Sequence, residues 1–345
     1  MIILTLILLI LLIFMIVEKR NSHMKIGISV SMIIMMLILA SMRDLQFGTD
    51  LVGYNASFIR LSDISWKETL VIFNFNTVNE PFFYYFTKII ADLGLSFNFY
   101  LILLLAISMY FTHLTLKRYS SAVALSYLIY ISLGYYFFNL NGIRQSLSIG
   151  LLLYSFHFLI INKNLKFVFF VLFASLFHVS ALAFLVFLLI RNIRLTDRLL
   201  IISFIILGIV FVFSSEIIEL MLSISFIAKY SYYLSSGIGL NYTSLLIHAS
   251  ILLFIYISNK NTQYTIVGDL IMKSLVIGLV FIILSTVVAE FFRVAMYFNI
   301  LSIIAVPLAI DRTKHIKNRV IILSGIVFLL ITYVFVSGMY FEFGW

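Results

Sequence analysis

Residues 97–116 read FNFYLILLLAISMYFTHLTL, a run without a single Asp, Glu, Lys or Arg. At a rise of about 1.5 Å per residue, a helix of this length spans about 30 Å, which is the thickness of the hydrocarbon core of a bilayer. The helices and strands of a soluble domain do not need so long an uncharged run. This stretch therefore predicts a transmembrane helix.

The composition of the whole chain agrees with this segment. Of the 345 residues, 63% are apolar and 11% are charged, whereas a soluble domain is about 45–50% apolar. The absence of Cys excludes disulfides, thiolate metal ligands and Cys nucleophiles. In such a chain the net charge of +9 reports membrane topology before it reports a binding partner. We expect an all-α polytopic membrane protein that binds no nucleic acid.

Ten apolar runs are long enough to cross a bilayer. They are 1–17, 24–42, 97–116, 121–138, 143–161, 199–213, 244–258, 270–289, 294–310 and 320–340. Two further segments are ambiguous, because 81–93 is short and charged, whereas 165–190 is long and interrupted near His178. We interpret the first as an interfacial or re-entrant segment and the second as a helical hairpin that returns to its own side. The fold class is therefore about ten transmembrane helices plus one or two such segments.

The basic residues predict the orientation of this bundle. The loops on one face are 18–25, 117–118, 162–166, 191–198, 259–263 and 311–319. With Lys273 and Asp269 near a span end, they carry 16 of the 23 basic residues and 4 of the 14 acidic residues. The positive-inside rule assigns this face to the cytoplasm. Both termini and the long loops 43–80 and 214–243 are then external, within a single membrane domain of residues 1–345.

Three features of the flanking segments complete the topology. The first apolar run lacks a basic n-region and a small-residue cleavage site, so it is interpreted as a retained anchor. The two long external loops contain scattered aromatic residues, which predict amphipathic helices on the membrane surface. No linker or internal repeat divides the chain into separate domains.

Polar residues follow the second span, where ionisable side chains at helix ends are candidates for function. Arg43 is followed by Gly48, Thr49 and Asp50. A turn at Gly48 can direct Thr49 and Asp50 back over the end of the helix. The alternative is an exposed ion pair of Arg43 with Asp44 or Asp50, which would contribute little to stability.

The start of the fifth span carries a second polar group. Asn141, Arg144, Gln145 and Ser148 are spaced at i, i+3, i+4 and i+7, which places them on one helical face. We predict that Asn141 caps this helix and that its first N–H groups, together with Arg144, form a pocket suited to phosphate or pyrophosphate. The alternative is that Arg144 only extends to the membrane interface.

Two smaller groups lie at other span ends. Glu290, Arg293 and Tyr297 are spaced at i, i+3 and i+7 before the ninth span, although Glu290 and Arg293 could simply pair with each other. Glu80 precedes Pro81, which suits the first position of a helix. Both groups are therefore candidates for an external site.

Taken in chain order, these motifs resemble a family, the EpsG/Wzy-type polysaccharide polymerases of bacteria. The motifs are Arg43…Gly48-Thr49-Asp50…Tyr54, Glu80-Pro81, Asn141-x-x-Arg144-Gln145, Ala174-Ser-x-Phe-His178-x-Ser180-Ala181 and Arg293-x-x-x-Tyr297. In the fourth motif this sequence has Val179 where a Pro is common. The order of the motifs through most of the chain carries more weight than any one of them.

The resemblance implies an enzyme of exopolysaccharide, capsule or O-antigen synthesis in the bacterial plasma membrane, with a bundle resembling GT-C glycosyltransferases. It implies transfer of a glycan from an undecaprenyl-pyrophosphate carrier onto the next lipid-linked repeat unit at the outer face. The implied partners are lipid-linked oligosaccharide, membrane lipid and, as a candidate, a chain-length regulator protein. No cofactor and no metal are expected.

Glycosyl transfer to a hydroxyl needs a base for the acceptor and stabilisation of the departing pyrophosphate. The candidate bases are Asp50, Glu80 and His178, and Asp50 is preferred because its loop lies close to the proposed arginines. Fixed arginines can bind the pyrophosphate. The candidate substrate-binding residues are Arg43, Thr49, Tyr54, Asn141, Arg144, Gln145, Arg293 and Tyr297.

Three other functions compete with a polymerase. A lipid-sugar flippase or transporter would show internal repeats and carboxylates near the midplane, whereas the acids here cluster at the outer ends. A membrane O-acyltransferase would present a dominant catalytic His, for which His178 is the candidate. A glycan ligase of the same pathway would use similar lipid-linked donors, and the motifs do not separate it from a polymerase.

Overall fold

The computed structural model describes residues 2–44, 50–223, 242–259, 265–313 and 316–336. All regular elements in these ranges are helices, which confirms the all-α prediction. The described residues of Met1–Leu182 and His315–Trp345 form one compact unit, and those of Ala183–Lys314 form a second. Each unit is described by itself below.

The helices follow one another with short connections. In chain order they are α1 (Ile2–Arg20), α2 (Lys25–Ser41), α3 (Leu51–Asp63), α4 (Trp66–Ile72), α5 (Pro81–Asp92), α6 (Phe97–Tyr119), α7 (Val123–Ser132), α8 (Tyr135–Asn141), α9 (Ile143–Ile160), α10 (Asn164–Ser175), α11 (Val186–Ile190), α12 (Asp197–Val212), α13 (Ser214–Leu222), α14 (Tyr242–Asn259), α15 (Ile266–Leu284), α16 (Phe291–Asn299), α17 (Ser302–Asp311) and α18 (Ile316–Val336). Short 3-10 helices occupy Ser22–Met24 and Val179–Leu185.

The protein is a multi-pass membrane protein, but it has fewer unbroken spans than predicted. Among the described residues, six helices are long and apolar enough to cross a bilayer, or up to eight if each of two bent pairs is one span. The predicted run 121–138 is divided between α7 and α8, which meet at 58° where Gly134 adopts a φ of 82°. The run 199–213 continues from α12 into α13 through a bend of 78°. These two breaks are part of the reason why the count falls below ten.

The structure shows local features of both ambiguous segments, whereas the interfacial or re-entrant placement of the first stays a prediction. Segment 81–93 forms α5, and Pro81 occupies the start of that helix. In segment 165–190 the predicted interruption is confirmed, because α10 ends at Ser175 and the 3-10 helix begins at Val179. The hairpin topology of this segment stays a prediction.

Helices also form in the first long loop, 43–80, where amphipathic helices were expected. They are α3 and α4. The start of α4 has a reciprocal cap, because Ser65 Oγ accepts the N–H of Glu68 and the Glu68 carboxylate accepts the N–H of Ser65 at 2.8 Å. The placement of these helices on a membrane surface stays a prediction.

Close packing of α6 against α9 fixes the helix that carries Arg144. A Cβ atom at Gly150 would lie 2.8 Å from the carbonyl oxygen of Ser108, so only glycine allows this approach of the two helices. Ser108 Oγ also donates to the carbonyl oxygen of Ser146 at 2.8 Å. The first turns of α9 are therefore held against α6.

Glu18 joins the end of α1 to the start of α7. Its carboxylate oxygens accept the N–H groups of Val123 and Ala124 at 2.7 and 2.9 Å. The side chain of the N-cap residue Ala122 accepts no hydrogen bond from the first turn of this helix. Glu18 therefore satisfies N–H groups that would otherwise lack acceptors. A residue predicted to lie in a basic loop thus has a structural role.

The second unit is held by a similar close approach and by a hydrogen bond to a largely buried ion pair. A Cβ atom at Gly278 of α15 would lie 2.0 Å from Oδ1 of Asn299 at the end of α16. Asp269 accepts the N–H of Leu195 at 2.8 Å and pairs with Lys273 at 2.5 Å. The hydrogen bond from Leu195 to Asp269 therefore attaches the connection before α12 to α15.

Candidate functional site

Four of the predicted site residues meet in the first unit. Tyr54 lies on α3, Glu80 directly precedes α5, Arg144 lies in the first turn of α9, and His178 follows α10. Direct contacts connect Arg144 with Tyr54 and Glu80, and Glu80 with His178. We call these four residues the polar cluster.

Arg144 lies at the centre of the polar cluster. Its Nη1 donates to Oε2 of Glu80 at 3.0 Å, and its Nε donates to the hydroxyl of Tyr54 at 3.2 Å. The guanidinium also lies over the rings of Tyr54 and Phe83, 5.5 Å from each centroid. Charge-assisted hydrogen bonds and cation–π contacts together fix the plane of the group. The side chain nevertheless remains 27% exposed.

Glu80 is the buried anion of the polar cluster, with only 7% of its side chain exposed. Oε1 accepts the N–H of Val179 at 3.1 Å. Burial opposes ionisation, but His178, the Val179 amide and Arg144 outweigh it and hold the pKa of Glu80 below its ordinary value. The carboxylate is therefore ionised at neutral pH, and both of its oxygens contact donors.

The helix break explains why His178 and the Val179 amide reach Glu80. The last N–H to bond back into α10 is that of His178, which donates to the carbonyl of Ala174 at 3.1 Å. The Val179 amide is thus free to bond a side chain. Nδ1 of His178 lies 3.2 Å from Oε1 of Glu80, although the approach is not aligned for a hydrogen bond. The His178 side chain is 21% exposed.

Ser148 connects α9 with this break. Its Oγ donates to the carbonyl oxygen of Ala174 at 2.9 Å, and the residue is fully buried. Gln145, on the same face of α9, is also buried. The predicted polar face of α9 is therefore present from Arg144 to Ser148, and it packs inside the first unit.

Arg43 lies outside the polar cluster and is more deeply buried than Arg144. Only 8% of Arg43 is exposed, and its Nη1 donates to the carbonyl oxygen of Leu140 at 3.0 Å. Burial lowers the pKa of Arg43 to about 10, which still leaves the group charged at neutral pH. Across the described residues, no carboxylate pairs with it. The alternative of an ion pair with Asp44 or Asp50 is therefore wrong.

The predicted role of Asn141 as an N-cap is also wrong. Asn141 is the last residue of α8, and Gly142 occupies the N-cap of α9. The separate helix α8 precedes α9 directly, so Asn141 has no capping position. Its Oδ1 instead accepts the N–H of Asp50 at 3.0 Å. Asp50 is the N-cap of α3 and is half-buried, and the neighbouring Thr49 lies outside the described residues.

Arg293 and Tyr297 belong to the second unit. Nε of Arg293 lies 3.1 Å from Oε2 of Glu290, and both side chains are exposed. The simple pair that the sequence left open is thus present. Tyr297 is fully buried in α16. A role for either residue in substrate binding stays a prediction.

Sequence reasoning missed three contributors to these contacts. They are the ring of Phe83, the amide of Val179 and the carbonyl of Leu140. Phe83 stands at i+3 from Glu80, so the helical face of α5 could have indicated it. Every residue has backbone groups, so the sequence does not indicate which of them bond a site residue, and only the fold shows it.

Apolar helices of membrane-spanning length, together with a partly buried ionic cluster in the first unit, define a polytopic membrane protein with a polar site. The sequence matches the family model described as "EpsG family" over residues 26–344, and the chain belongs to this family of polysaccharide polymerases. The family predicted from the motifs is thereby confirmed. We found no match among curated proteins or among solved structures.

Proposed function

We propose that this protein is a glycan polymerase of the bacterial plasma membrane. It transfers an undecaprenyl-pyrophosphate-linked oligosaccharide, or a growing chain, onto a lipid-linked repeat unit at the outer face. Membership in the EpsG family supports polymerase activity. The observation that carries the chemistry is the contact of Glu80 with Arg144 and His178. A GT-C-like arrangement of the helices and a chain-length regulator as partner belong to the same proposal.

In the proposed reaction, the oxygen of an acceptor hydroxyl bonds to the anomeric carbon of the donor glycan. The bond from that carbon to the pyrophosphate oxygen breaks, and the electron pair leaves with the lipid pyrophosphate. The hydroxyl proton passes to Nε2 of His178. Such positioned proton transfer contributes about 10²- to 10⁴-fold to a rate.

The surroundings of His178 support it as the base in preference to Asp50. A carboxylate near Nδ1 stabilises the imidazolium that forms when Nε2 accepts a proton. Glu80 has this position, 3.2 Å from Nδ1. Because Glu80 is itself held ionised by Arg144 and the Val179 amide, it is a positioning residue and a weak base.

Neighbouring segments can bind the rest of the substrate. Exposed aromatic side chains such as Trp66 of α4 and Phe75, which follows α4, offer faces on which sugars can stack. A polyprenyl tail can lie against apolar side chains that the membrane helices expose, such as Ile34 and Ile38 of α2. A flippase would bind the same tail and sugars, but it has no use for a histidine beside a buried carboxylate.

The test uses purified protein in nanodiscs with lipid-linked repeat units and follows chain length. We expect the wild type to lengthen chains and the His178→Ala variant to lose about 10²- to 10⁴-fold in rate. Asp50→Asn should retain the chemical step. His23→Ala is the matched control, because His23 is exposed in the short 3-10 helix before α2.

Other outcomes would contradict the proposal in recognisable ways. Transfer to a different lipid without chain lengthening would identify a ligase. Movement of lipid-linked sugar across a sealed vesicle without new bonds would identify a flippase. A His178→Ala variant with normal elongation, beside an inactive Asp50→Asn, would return the role of base to Asp50.

A further inference from the structure

We propose that Arg43, rather than Arg144, is the main cationic contact for the diphosphate group of the lipid-linked substrate. The inference rests on the proposed function and gives the two arginines different roles. Arg43 binds the anion together with the N-terminal end of α9. Arg144 is a positioning residue that holds Glu80.

The first observation is that Arg43 is a buried cation without a counter-ion among the residues that the structure describes. The side chain is more than nine-tenths buried, and no described carboxylate pairs with it. Every Asp and Glu of the chain except Glu342 lies among the described residues. Buried charges in proteins are normally paired or bound to a ligand, because an unpaired one is costly. The missing partner of Arg43 is therefore an anion.

The second observation is the place to which Arg43 points. Nη1 bonds the carbonyl of Leu140, two residues before Gly142, the N-cap of α9. The N–H of Ser146 donates to the carbonyl of Gly142. The N–H groups between these two residues therefore belong to the first turn of α9, which has no acceptors within the helix itself. The N-terminus of a long helix favours phosphate. Nε of Arg43 is buried and has no acceptor among the described residues.

The third observation is that Arg144 is already engaged. Its charge is compensated by Glu80 at 3.0 Å, its Nε is bonded to Tyr54, and its plane is fixed on two rings. A diphosphate that took Arg144 away from Glu80 would leave a carboxylate that is only 7% exposed without its cation. Breaking a buried pair in this way is strongly unfavourable.

The test measures binding to purified variants in nanodiscs with three probes: undecaprenyl pyrophosphate, inorganic pyrophosphate and phosphatidylglycerol. For undecaprenyl pyrophosphate, we expect Arg43→Gln to weaken binding roughly 10- to 100-fold, because a charge-assisted contact is lost. Arg43→Lys should fall between Arg43→Gln and the wild type. Arg144→Gln should bind within about threefold of the wild type. Arg118→Gln, at an exposed arginine of the same unit, is the matched control.

Thermal unfolding without ligand separates a binding role from a structural one. Removal of a buried, uncompensated charge should leave the melting temperature of Arg43→Gln unchanged or higher. A structural arginine would lower it. A large drop in melting temperature for both Arg43→Gln and Arg43→Lys would overturn the proposal.

Three results of the binding measurements would also overturn the proposed role of Arg43. These are unchanged affinity of Arg43→Gln, a larger loss in Arg144→Gln than in Arg43→Gln, or an effect confined to phosphatidylglycerol. Competition by inorganic pyrophosphate that depends on Arg43 supports recognition of the diphosphate itself. If the wild type binds undecaprenyl pyrophosphate through Arg43 but forms no polymer, the proposed function fails and this inference stands. If polymer forms and Arg43→Gln binds undecaprenyl pyrophosphate normally, the proposed function stands and the inference about Arg43 fails.

Discussion

The side chain of Arg144 makes contacts that an ammonium cannot reproduce together. Its Nη1 bonds Glu80 while its Nε bonds Tyr54, and its plane lies over the rings of Tyr54 and Phe83. A lysine supplies a point charge without the fork or the plane. We therefore expect Arg144→Lys to be nearly as damaging as Arg144→Ala, with a loss of about 2–4 kcal/mol, roughly 30- to 1,000-fold in rate.

The measurement is kcat/KM for chain elongation at matched protein levels. Arg118→Lys serves as the control, because Arg118 lies over a single ring, that of Tyr154, at 6.0 Å and is exposed. Full activity of Arg144→Lys would mean that charge alone matters at this position. Arg144 would then have no part in fixing the geometry of Glu80.

Glu80 predicts how stability depends on pH. Its folded-state pKa lies below the ordinary value of 4.5, so its stabilising contribution is complete above that value and is lost as pH falls through the folded pKa. We expect the melting temperature of the wild type to fall on acidification below about pH 4.5. Glu80→Gln should lack this component and should be less stable at neutral pH.

The comparison for this pH dependence is Glu219→Gln, which changes an exposed carboxylate of the second unit. That variant should follow the wild-type curve. If the curves of Glu80→Gln and the wild type run parallel from pH 7 to the acid range, Glu80 is not the group that links protonation to unfolding.

For individual residues, the sequence predicted which side chains belong to the polar cluster better than it predicted their contacts. Glu80, Arg144 and His178 stood out because charged or polar groups at span ends are costly. Glu80 contacts Arg144, 64 residues further along the chain, and the amide of Val179, 99 residues further along, and no periodicity connects such segments. The partners of Arg43 could not be predicted either, because Nη1 bonds a backbone carbonyl.

Among the elements, the contact between α6 and α9 positions the site. A Cβ atom at Gly150 would lie 2.8 Å from the Ser108 carbonyl oxygen and 2.9 Å from its Cα. Both are backbone atoms and cannot rotate away. We expect Gly150→Ala to destabilise the protein by about 1–3 kcal/mol, as overpacking does, and to lower activity by displacing the first turn of α9.

Gly27→Ala is the matched control, because a Cβ atom there would meet nothing within 4 Å. In an otherwise open helical position, alanine is favoured over glycine by about 0.5–1 kcal/mol. Unfolding midpoints of the two variants in the same detergent should therefore move in opposite directions. Equal midpoints would show that α6 can withdraw from α9 without cost.

Helix breaks are the feature of the elements that sequence predicts least well. Gly134 separates α7 from α8 with a left-handed backbone, whereas Gly208 lies inside the unbroken helix α12. A glycine in an apolar run therefore permits a break but does not specify one. The bend of 58° at Gly134 makes α8 a separate helix, which ends at the residues that contact Arg43 and Asp50. The assignment of Asn141 as a cap failed for this reason.

For the whole molecule, the distribution of charge remains the strongest evidence on orientation. Between Asp92 and Asp197 the sequence has no acidic residue but carries seven lysines and arginines. Six of the seven lie in segments predicted to be cytoplasmic, and the exception is Arg144. Such an asymmetry is what the positive-inside rule requires. The polar cluster would then lie at the external end of α9.

Labelling of single cysteines tests this orientation directly, since the parent chain has no Cys and gives no background. Ser62→Cys lies at an exposed position on α3 and should react with an impermeant maleimide added to intact cells. Ile193→Cys is exposed between α11 and α12 and should react only after the membrane is permeabilised. Reaction of Ile193→Cys in intact cells would contradict the hairpin assigned to 165–190. If Ser62→Cys also fails to react in intact cells, the orientation is inverted. A site at Glu80 would then face the cytoplasm, where an acceptor in the outer leaflet could not reach it.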